Sequence, residues 1–312
     1  MAVNNKPPAE YKSGFVAVAG RPNVGKSTLM NALLGQKVAA VSPRPQTTRR
    51  RQLGILTLED AQVIFMDSPG VHKPRHKLGE FMNLEAQQTL EQADVVLLLA
   101  DASQPPGEED LLLSVMVARL PSSLPVILGL TKVDLLPPGA LPERQAEYQQ
   151  LVPRAQVCPN SALTGEGLGR LLLAITSALP PGEPFYDSGQ VTDLYEREIS
   201  ADLVREAALI HLRDEVPHSI AVRIDEFTER GEKGAYIAAT IFVERESQKP
   251  ILIGQKGAML KKIGTYARRE IETMSGRKIF LDLRVKVNKN WRDNPDALRH
   301  LGYTAEGKSG GE

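Results

Sequence analysis

The sequence predicts an open α/β domain over residues 1–180, with a mostly parallel sheet and flanking helices, then a linker at 181–195 and a smaller α+β module over 196–304. Residues 305–312 read as a frayed tail. Three observations carry this. Apolar runs alternate with helical periodicity as far as residue 179. Pro180-Pro-Gly-Glu-Pro184 then breaks the rhythm. From about 191 the order becomes helix–strand–strand–helix–strand, and basic residues become dense. A chain of 312 residues is long enough for two separate cores.

In the first domain the strands are expected at 14–19, 51–58, 61–66, 94–100, 124–130 and 155–158. Helical stretches at about 26–34, 80–92, 108–119, 143–151 and 167–178 fall between most of them. Ligands of such a sheet bind beyond the carboxyl ends of its strands, so chemical motifs should follow strands directly. In the second module Ile199, Leu203, Ala207 and Ile210 share one helix face, and alternating strands follow at 219–227 and 236–244. A glycine-bracketed basic helix spans about 257–273. The last strand, at 279–287, places Leu281, Leu283, Val285 and Val287 on one side.

Composition excludes several classes. No apolar run is long enough to span a bilayer, and Met1-Ala-Val-Asn-Asn-Lys-Pro-Pro lacks the apolar stretch of a signal peptide, so a cytoplasmic location is expected. Cys158 is the one cysteine, which rules out a disulfide framework and a thiolate metal cluster; it reads as a small strand residue. The net charge of zero hides an asymmetry. Between Arg245 and Arg292 stand 13 Lys/Arg and 4 Asp/Glu, a local net of +9, which points to an anionic partner with nucleic acid first among candidates. No Ser-His-Asp or Cys-His grouping is evident, and the five histidines are scattered.

Gly20-Arg-Pro-Asn-Val-Gly25-Lys26-Ser27 follows the first strand and opens the first helix, in the phosphate-binding spacing G-x-x-x-x-G-K-[ST]. Its backbone amides suit a polyphosphate, Lys26 reaches β/γ oxygens, and Ser27 offers a hydroxyl to Mg²⁺. The chain is therefore expected to bind a nucleoside triphosphate. Asp67-Ser-Pro-Gly70 follows the third strand: its carboxylate is placed to hold Mg²⁺ through water, and the Gly70 amide to meet a γ-phosphate. Between them, Pro45-Gln-Thr47-Thr48-Arg49-Arg50-Arg51 offers a threonine that would complete the Mg²⁺ shell only beside a γ-phosphate. Thr131-Lys132-Val133-Asp134 follows the fifth strand. Asp134 is suited to accept from N1–H and the N2 amine of guanine together, a donor pair adenine lacks, while the Lys132 stem covers the ring. Ser161-Ala162-Leu163 would give backbone donors to guanine O6.

In this order the five segments resemble the G motifs of Ras-like, translation-factor-class GTPases, and in detail those of the bacterial Era family, over nearly the whole chain. The resemblance implies a P-loop NTPase G domain that binds GTP/GDP through Gly20, Asn23, Val24, Gly25, Lys26, Ser27, Thr28, Thr47, Thr48, Gly70, Thr131, Lys132, Asp134, Ser161, Ala162 and Leu163. Mg²⁺ falls to Ser27, Thr48 and Asp67, and hydrolysis to Lys26, Thr48, Asp67 and Gly70. Asn23 matches a loop asparagine that ligates K⁺ in related GTPases. Two positions depart from the pattern. Thr131 replaces the asparagine of N-K-x-D, which puts the brace on the phosphate loop in question, and Ser68 replaces a threonine. Val71 stands where Ras-type enzymes keep a water-orienting glutamine, so turnover is expected to be slow.

In the second module Ile251-Leu-Ile253-Gly254-Gln255-Lys256-Gly257 joins two helical stretches through a G-x-x-G turn. Such a turn admits a nucleic-acid backbone closely, because glycine has no β-carbon. Ile251 and Ile253 are expected as the floor for unstacked bases, and Lys261, Lys262, Arg268, Lys286 and Lys289 as phosphate contacts. Trp291 is read as a core plug rather than a base platform. With this element order, the module resembles a bacterial-type (type II) KH domain. That resemblance implies RNA as ligand, specifically the 3′ end of 16S ribosomal RNA, and a role in small (30S) subunit maturation. A monomer is expected, and a peripheral contact with the inner membrane stays open. The alternatives are an RNA-binding scaffold with a structural or very slow nucleotide site, and a related GTPase acting on tRNA modification or large-subunit assembly; Asp134 argues against an ATPase.

Overall fold

The computed structural model describes residues 11–37, 39–42, 47–193, 196–231 and 234–303. The chain forms two compact units. Met1–Gln36, Thr48–Lys73 and Asn83–Asp193 build the first; Lys37–Thr47, Pro74–Met82 and Leu194–Glu312 build the second. Pro45 and Gln46 of the expected switch motif, the first ten residues and the tail 305–312 lie outside the described residues.

In the first unit β1 (Lys12–Gly20), α1 (Lys26–Leu34), β2 (Gln52–Thr57) and β3 (Ala61–Asp67) are followed by α2 (Lys77–Glu91), whose residues up to Met82 count with the second unit, β4 (Val95–Asp101) and α3 (Glu108–Ala118). After them come β5 (Val126–Thr131), α4 (Leu141–Leu151), β6 (Gln156–Pro159) and α5 (Leu168–Ala178). The strand order is β2-β3-β1-β4-β5-β6, parallel throughout except for β2, which runs antiparallel to β3. Every residue of β3 and β4 is buried, because helices cover both faces of a parallel sheet; this is why Val63–Met66 and Val95–Ala100 are unbroken apolar runs. The order turns about β1, with β2 and β3 to one side and β4–β6 to the other, so the loop after β1 opens at the switch point of the sheet. Cys158 is buried in β6, and burial pushes its thiol up, as befits an inert core residue.

The stretch expected as a linker is held to this unit as far as Asp193. Gln62 takes the Phe185 and Tyr186 amides on its side-chain oxygen at 2.7 and 3.0 Å, and Ile55 donates its amide to the Val191 carbonyl at 2.9 Å. The antiparallel strand β2 is a sheet edge with free backbone groups, and this strap covers part of it.

The second unit contains α6 (Glu196–His211), β7 (Ala221–Glu229), β8 (Ala235–Val243), α7 (Gln248–Ile253), α8 (Ala258–Ser275), β9 (Ile279–Val287) and α9 (Pro295–His300). Its sheet order is β7-β8-β9, with β7 antiparallel and β9 parallel to β8. On one face Ile199, Leu203 and Ala207 of α6 and Ile263, Ala267 and Ile271 of α8 pack with Ile237 and Ile241 of β8. Ile210, expected on the same stripe, is only half buried. On the other face Trp291 is fully buried with Phe242, Leu298, Leu78 and Met82, and its indole N–H donates to the Ser219 carbonyl at 2.8 Å. It is a core plug, as the sequence suggested. Helix α9 was not foreseen. Asn294 caps it, accepting from the Asp296 amide at 3.0 Å, and Pro295 occupies its first turn. No helix among the described residues is long and apolar enough to cross a membrane.

Candidate nucleotide site and nucleic-acid groove

The phosphate loop joins β1 to α1. Lys26 is buried, and its ammonium donates to the carbonyls of Gly20 and Arg21, both at 3.0 Å. Burial pushes its pKa down to about 8, with the Asp67 charge pulling the other way. Asn23 stands at φ 62°, in the left-handed region, and its carbonyl accepts from Lys132 at 2.8 Å. Thr28 is half buried in the first turn of α1.

Three oxygens from three segments meet beside this loop. Ser27 Oγ lies 3.0 Å from Thr48 Oγ1 and 2.9 Å from Asp67 Oδ2, and Thr48 Oγ1 lies 3.1 Å from that same carboxylate oxygen. The other carboxylate oxygen, Asp67 Oδ1, is buried without a hydrogen-bond partner among the described residues. Two hydroxyls and a buried carboxylate with one oxygen left over are the hard donor set that magnesium takes, directly or through water. The trio fits magnesium. Burial pushes the Asp67 carboxyl up, while the Lys26 charge and the two hydroxyls pull it down.

Gly70 packs against the loop so closely that a β-carbon there would stand 2.8 Å from the Pro22 nitrogen. Only glycine keeps its amide beside the phosphate loop. Ser68 donates its hydroxyl to the Val18 carbonyl at 2.9 Å, which latches the Asp67–Gly70 turn onto β1. Val71 is buried and presents nothing polar to a water. Thr47 is grouped with the second unit, where its carbonyl accepts from Arg205.

The base side is built on the ends of β5 and β6. Thr131 donates its hydroxyl to the Val24 carbonyl at 2.7 Å and lies 3.1 Å from that of Ala100. The departure from asparagine therefore keeps a brace on the phosphate loop. Lys132 is held by Asp101 at 2.6 Å as well as by Asn23. Asp101 was missed by sequence reasoning. Burial opposes its ionisation, but the bonds from Lys132 and Ser103 outweigh this and hold the carboxyl below its usual range. Arg21 of the phosphate loop reaches the same carboxylate at 3.6 Å. Asp134 is exposed, with no hydrogen bond or ion pair from its carboxylate among the described residues. Ser161 differs from expectation: its amide is committed to the Glu166 carbonyl at 2.9 Å, and its hydroxyl accepts from Thr164 at 3.2 Å. The amides of Ala162 and Leu163 remain for a ligand oxygen, and Leu163 is fully at the surface.

In the second unit Gly254 stands at φ 73°, and a β-carbon there would collide with Met259 at 2.7 Å. Gln255 and Lys256 are exposed at the tip of the turn, and Gly257, at φ 80°, stands immediately before α8. A groove of about 520 Å³ runs from this turn between α8 and β9, lined by Gly257, Leu260, Lys261, Arg268, Leu281 and Leu283 among others. Ile279, Phe280 and Leu281 all line it although alternate strand residues face opposite ways, so the groove follows the free edge of β9. That edge offers unpaired backbone donors and acceptors to base edges.

The floor expected from Ile251 and Ile253 is thus supplied by other residues. Both isoleucines sit on α7, away from the groove, Ile251 at the surface and Ile253 half buried. Lys261 and Arg268 line the groove. Lys262, one residue around the helix, turns to a separate hollow with His211 and Arg269. Lys286 and Lys289 are exposed outside the groove.

The 50S ribosome-binding GTPase family profile matches residues 15–132, and the KH domain profile matches 215–292. Fold and sites together define a P-loop GTPase that carries a KH module. The chain is 45% identical to GTPase Era of Heliobacterium modesticaldum and of Geobacter metallireducens, covering 94% of this chain and 98% of each relative. It superposes with a TM-score of 0.90, at 40% identity, on a crystal structure of Era in complex with MgGDPNP and nucleotides 1506–1542 of 16S ribosomal RNA, covering 95% of this chain and all of that one. With a point variant of Aquifex aeolicus Era bound to GDP·AlF4⁻ the score is 0.89 at 41% identity, over 94% of this chain and all of that one. The chain belongs to the Era family of GTPases.

Proposed function

We propose that this chain is a GTP-hydrolysing switch that holds the 3′ end of 16S ribosomal RNA in its KH groove and acts in maturation of the small ribosomal subunit. The observation that carries the reading is the meeting of Ser27, Thr48 and Asp67 oxygens beside the phosphate loop, in a chain whose relative of known structure holds MgGDPNP and that RNA. The domain assignment is a G domain at 1–180, a linker at 181–195, a KH domain at 196–304 and a tail at 305–312. The protein works in the cytoplasm as a monomer, any membrane contact being peripheral.

Lys26 exchanges the Gly20 and Arg21 carbonyls for β/γ-phosphate oxygens, which restores the charge favoured by an anion. Gly70 donates its amide to the γ-phosphate. Asp134 accepts from the guanine edge, Ala162 and Leu163 donate to O6, and Lys132 covers the ring. Ser27, Thr48 and Asp67 would hold magnesium, which would supply positive charge beside the phosphates. Because Thr48 joins that trio, the nucleotide state is read at Thr47 and Thr48. Val71 orients no water, so intrinsic turnover stays near or modestly above the ~10⁻⁴ per second of unassisted GTPases. A potassium ion on Asn23 would raise it.

GTP turnover by the purified protein, in K⁺ and in Na⁺, tests the enzyme reading. Activity should vanish in Lys26→Ala and be higher in K⁺. Tight GTP binding with no turnover in either ion would favour the scaffold. Binding of a 3′-terminal rRNA oligomer should depend on the nucleotide and weaken steeply with salt. A folded protein indifferent to GTP and GDP in calorimetry would overturn the proposal.

A further inference from the structure

The groove's wall ends in an aromatic that the proposed RNA path does not yet use. Phe280 is 65% exposed, although it lies in a strand whose alternate residues are packed inward. Strand register sets it opposite Tyr236, and the two rings stack at 5.7 Å with 22° between their planes. The Arg230 guanidinium lies 5.3 Å from the centre of the Tyr236 ring. Phe280 also lines the groove, so it belongs to both the groove and the outer sheet face. A cross-strand pair serving stability alone gains most by burying both rings, and here one ring is left mostly in water.

We propose that Phe280, backed by Tyr236, is a stacking platform for one unpaired base of a single-stranded RNA as that strand leaves the groove. This rests on the KH groove being an RNA site. About four nucleotides fill a groove of this kind, so a longer strand must emerge past one of its ends. Continuity of Phe280 with the groove places the next base over its ring. Beyond Phe280 the same sheet face carries the ion pairs Arg284–Asp282, at 3.2 Å, and Arg223–Asp225, at 2.7 Å, together with Glu226 and Lys286, so its charges balance and the proposed platform is for one base only. The groove itself is walled by aliphatic side chains and basic groups, so a flat π-surface here adds a preference for well-stacking bases at that position.

The test compares a groove-length oligoribonucleotide of about four nucleotides with the same sequence extended at its 5′ or its 3′ end, a 2-aminopurine marking the extension. Wild-type protein should bind one extended oligomer more tightly and quench its 2-aminopurine. Phe280→Ala and Phe280→Leu should each weaken that oligomer by about 5- to 150-fold more than they weaken the short one and abolish the quench, with the salt slope unchanged. Phe280→Trp should retain both. Equal loss on short and extended oligomers would make the ring a groove wall only and overturn the platform, as would wild-type affinity and quench in Phe280→Leu. Failure of the wild-type chain to bind either oligomer would overturn the RNA reading itself, and the platform with it.

Discussion

Replacing Thr131 by Val keeps the shape of the side chain and removes one hydroxyl. Thr131 is 3% exposed, and that hydroxyl is shared by the Val24 carbonyl, at 2.7 Å, and the Ala100 carbonyl, at 3.1 Å. Loss of a buried donor costs about 1–3 kcal/mol. The Val24 bond ties the phosphate loop to the end of β5, so much of this cost appears when the nucleotide must order the loop. GDP affinity should fall by about 5- to 30-fold, corresponding to about 1–2 kcal/mol. Most of the change belongs in the dissociation rate, read by stopped-flow release of a fluorescent GDP analogue. Thr131 touches loop backbone rather than the base, so IDP should lose as much as GDP. Thr131→Ser keeps the donor and should stay close to wild type, whereas Thr131→Asn gives each carbonyl its own N–H and should slow release. A folded Thr131→Val protein that releases GDP at the wild-type rate would refute the brace.

Three further outcomes follow from the same geometry. Asp134→Asn exchanges an acceptor for a donor at the guanine edge, and preference should move from GTP towards XTP by at least about a hundredfold in competition binding. Lys26 has a folded pKa pushed down to about 8, and its protonated form is the one that binds an anion, so affinity is full below pH 8 and is lost as pH rises through it. GTP affinity should therefore fall about fourfold between pH 7 and pH 8.5 in calorimetry, and a flat profile would mean the ammonium is already charged throughout. Trp291→Ala empties the largest side chain of the second unit's outer cluster and strands the Ser219 carbonyl, which should destabilise that unit by about 3–5 kcal/mol in urea unfolding followed by hydrogen exchange.

Much of the fold was legible because buried parallel strands announce themselves. Val95–Asp101 and Ala61–Asp67 are covered on both faces, and their apolar runs gave the expected strands to within a residue or two. The nucleotide motifs were legible for a related reason: each is a short local segment at a strand end, and its spacing carries its chemistry. Asp101 was not, because it acts by joining Arg21 to Lys132, residues far apart in sequence. The groove floor was misplaced for a geometric reason. Ile251 and Ile253 adjoin the G-x-x-G turn at the end of α7 but do not line the groove, to which β9 returns to supply Ile279, Leu281 and Leu283. Helix α9 was missed although Asn294-Pro295-Asp296 carries a cap followed by a first-turn proline, a signal that six residues of helix did not raise above the background.

The second unit's make-up has a consequence during synthesis. Its core takes Leu78 and Met82 from a segment that leaves the ribosome long before Trp291, Leu298 and Tyr303 exist to receive them. At about 5–20 residues per second, the interval between residue 82 and residue 303 is roughly 11–44 s. For that time two apolar anchors wait without their neighbours, so nascent chains stalled after residue 193 should be the ones that chaperones hold longest. A fragment beginning at Leu194 would meet the same deficit permanently, with Trp291 short of two of its packing partners.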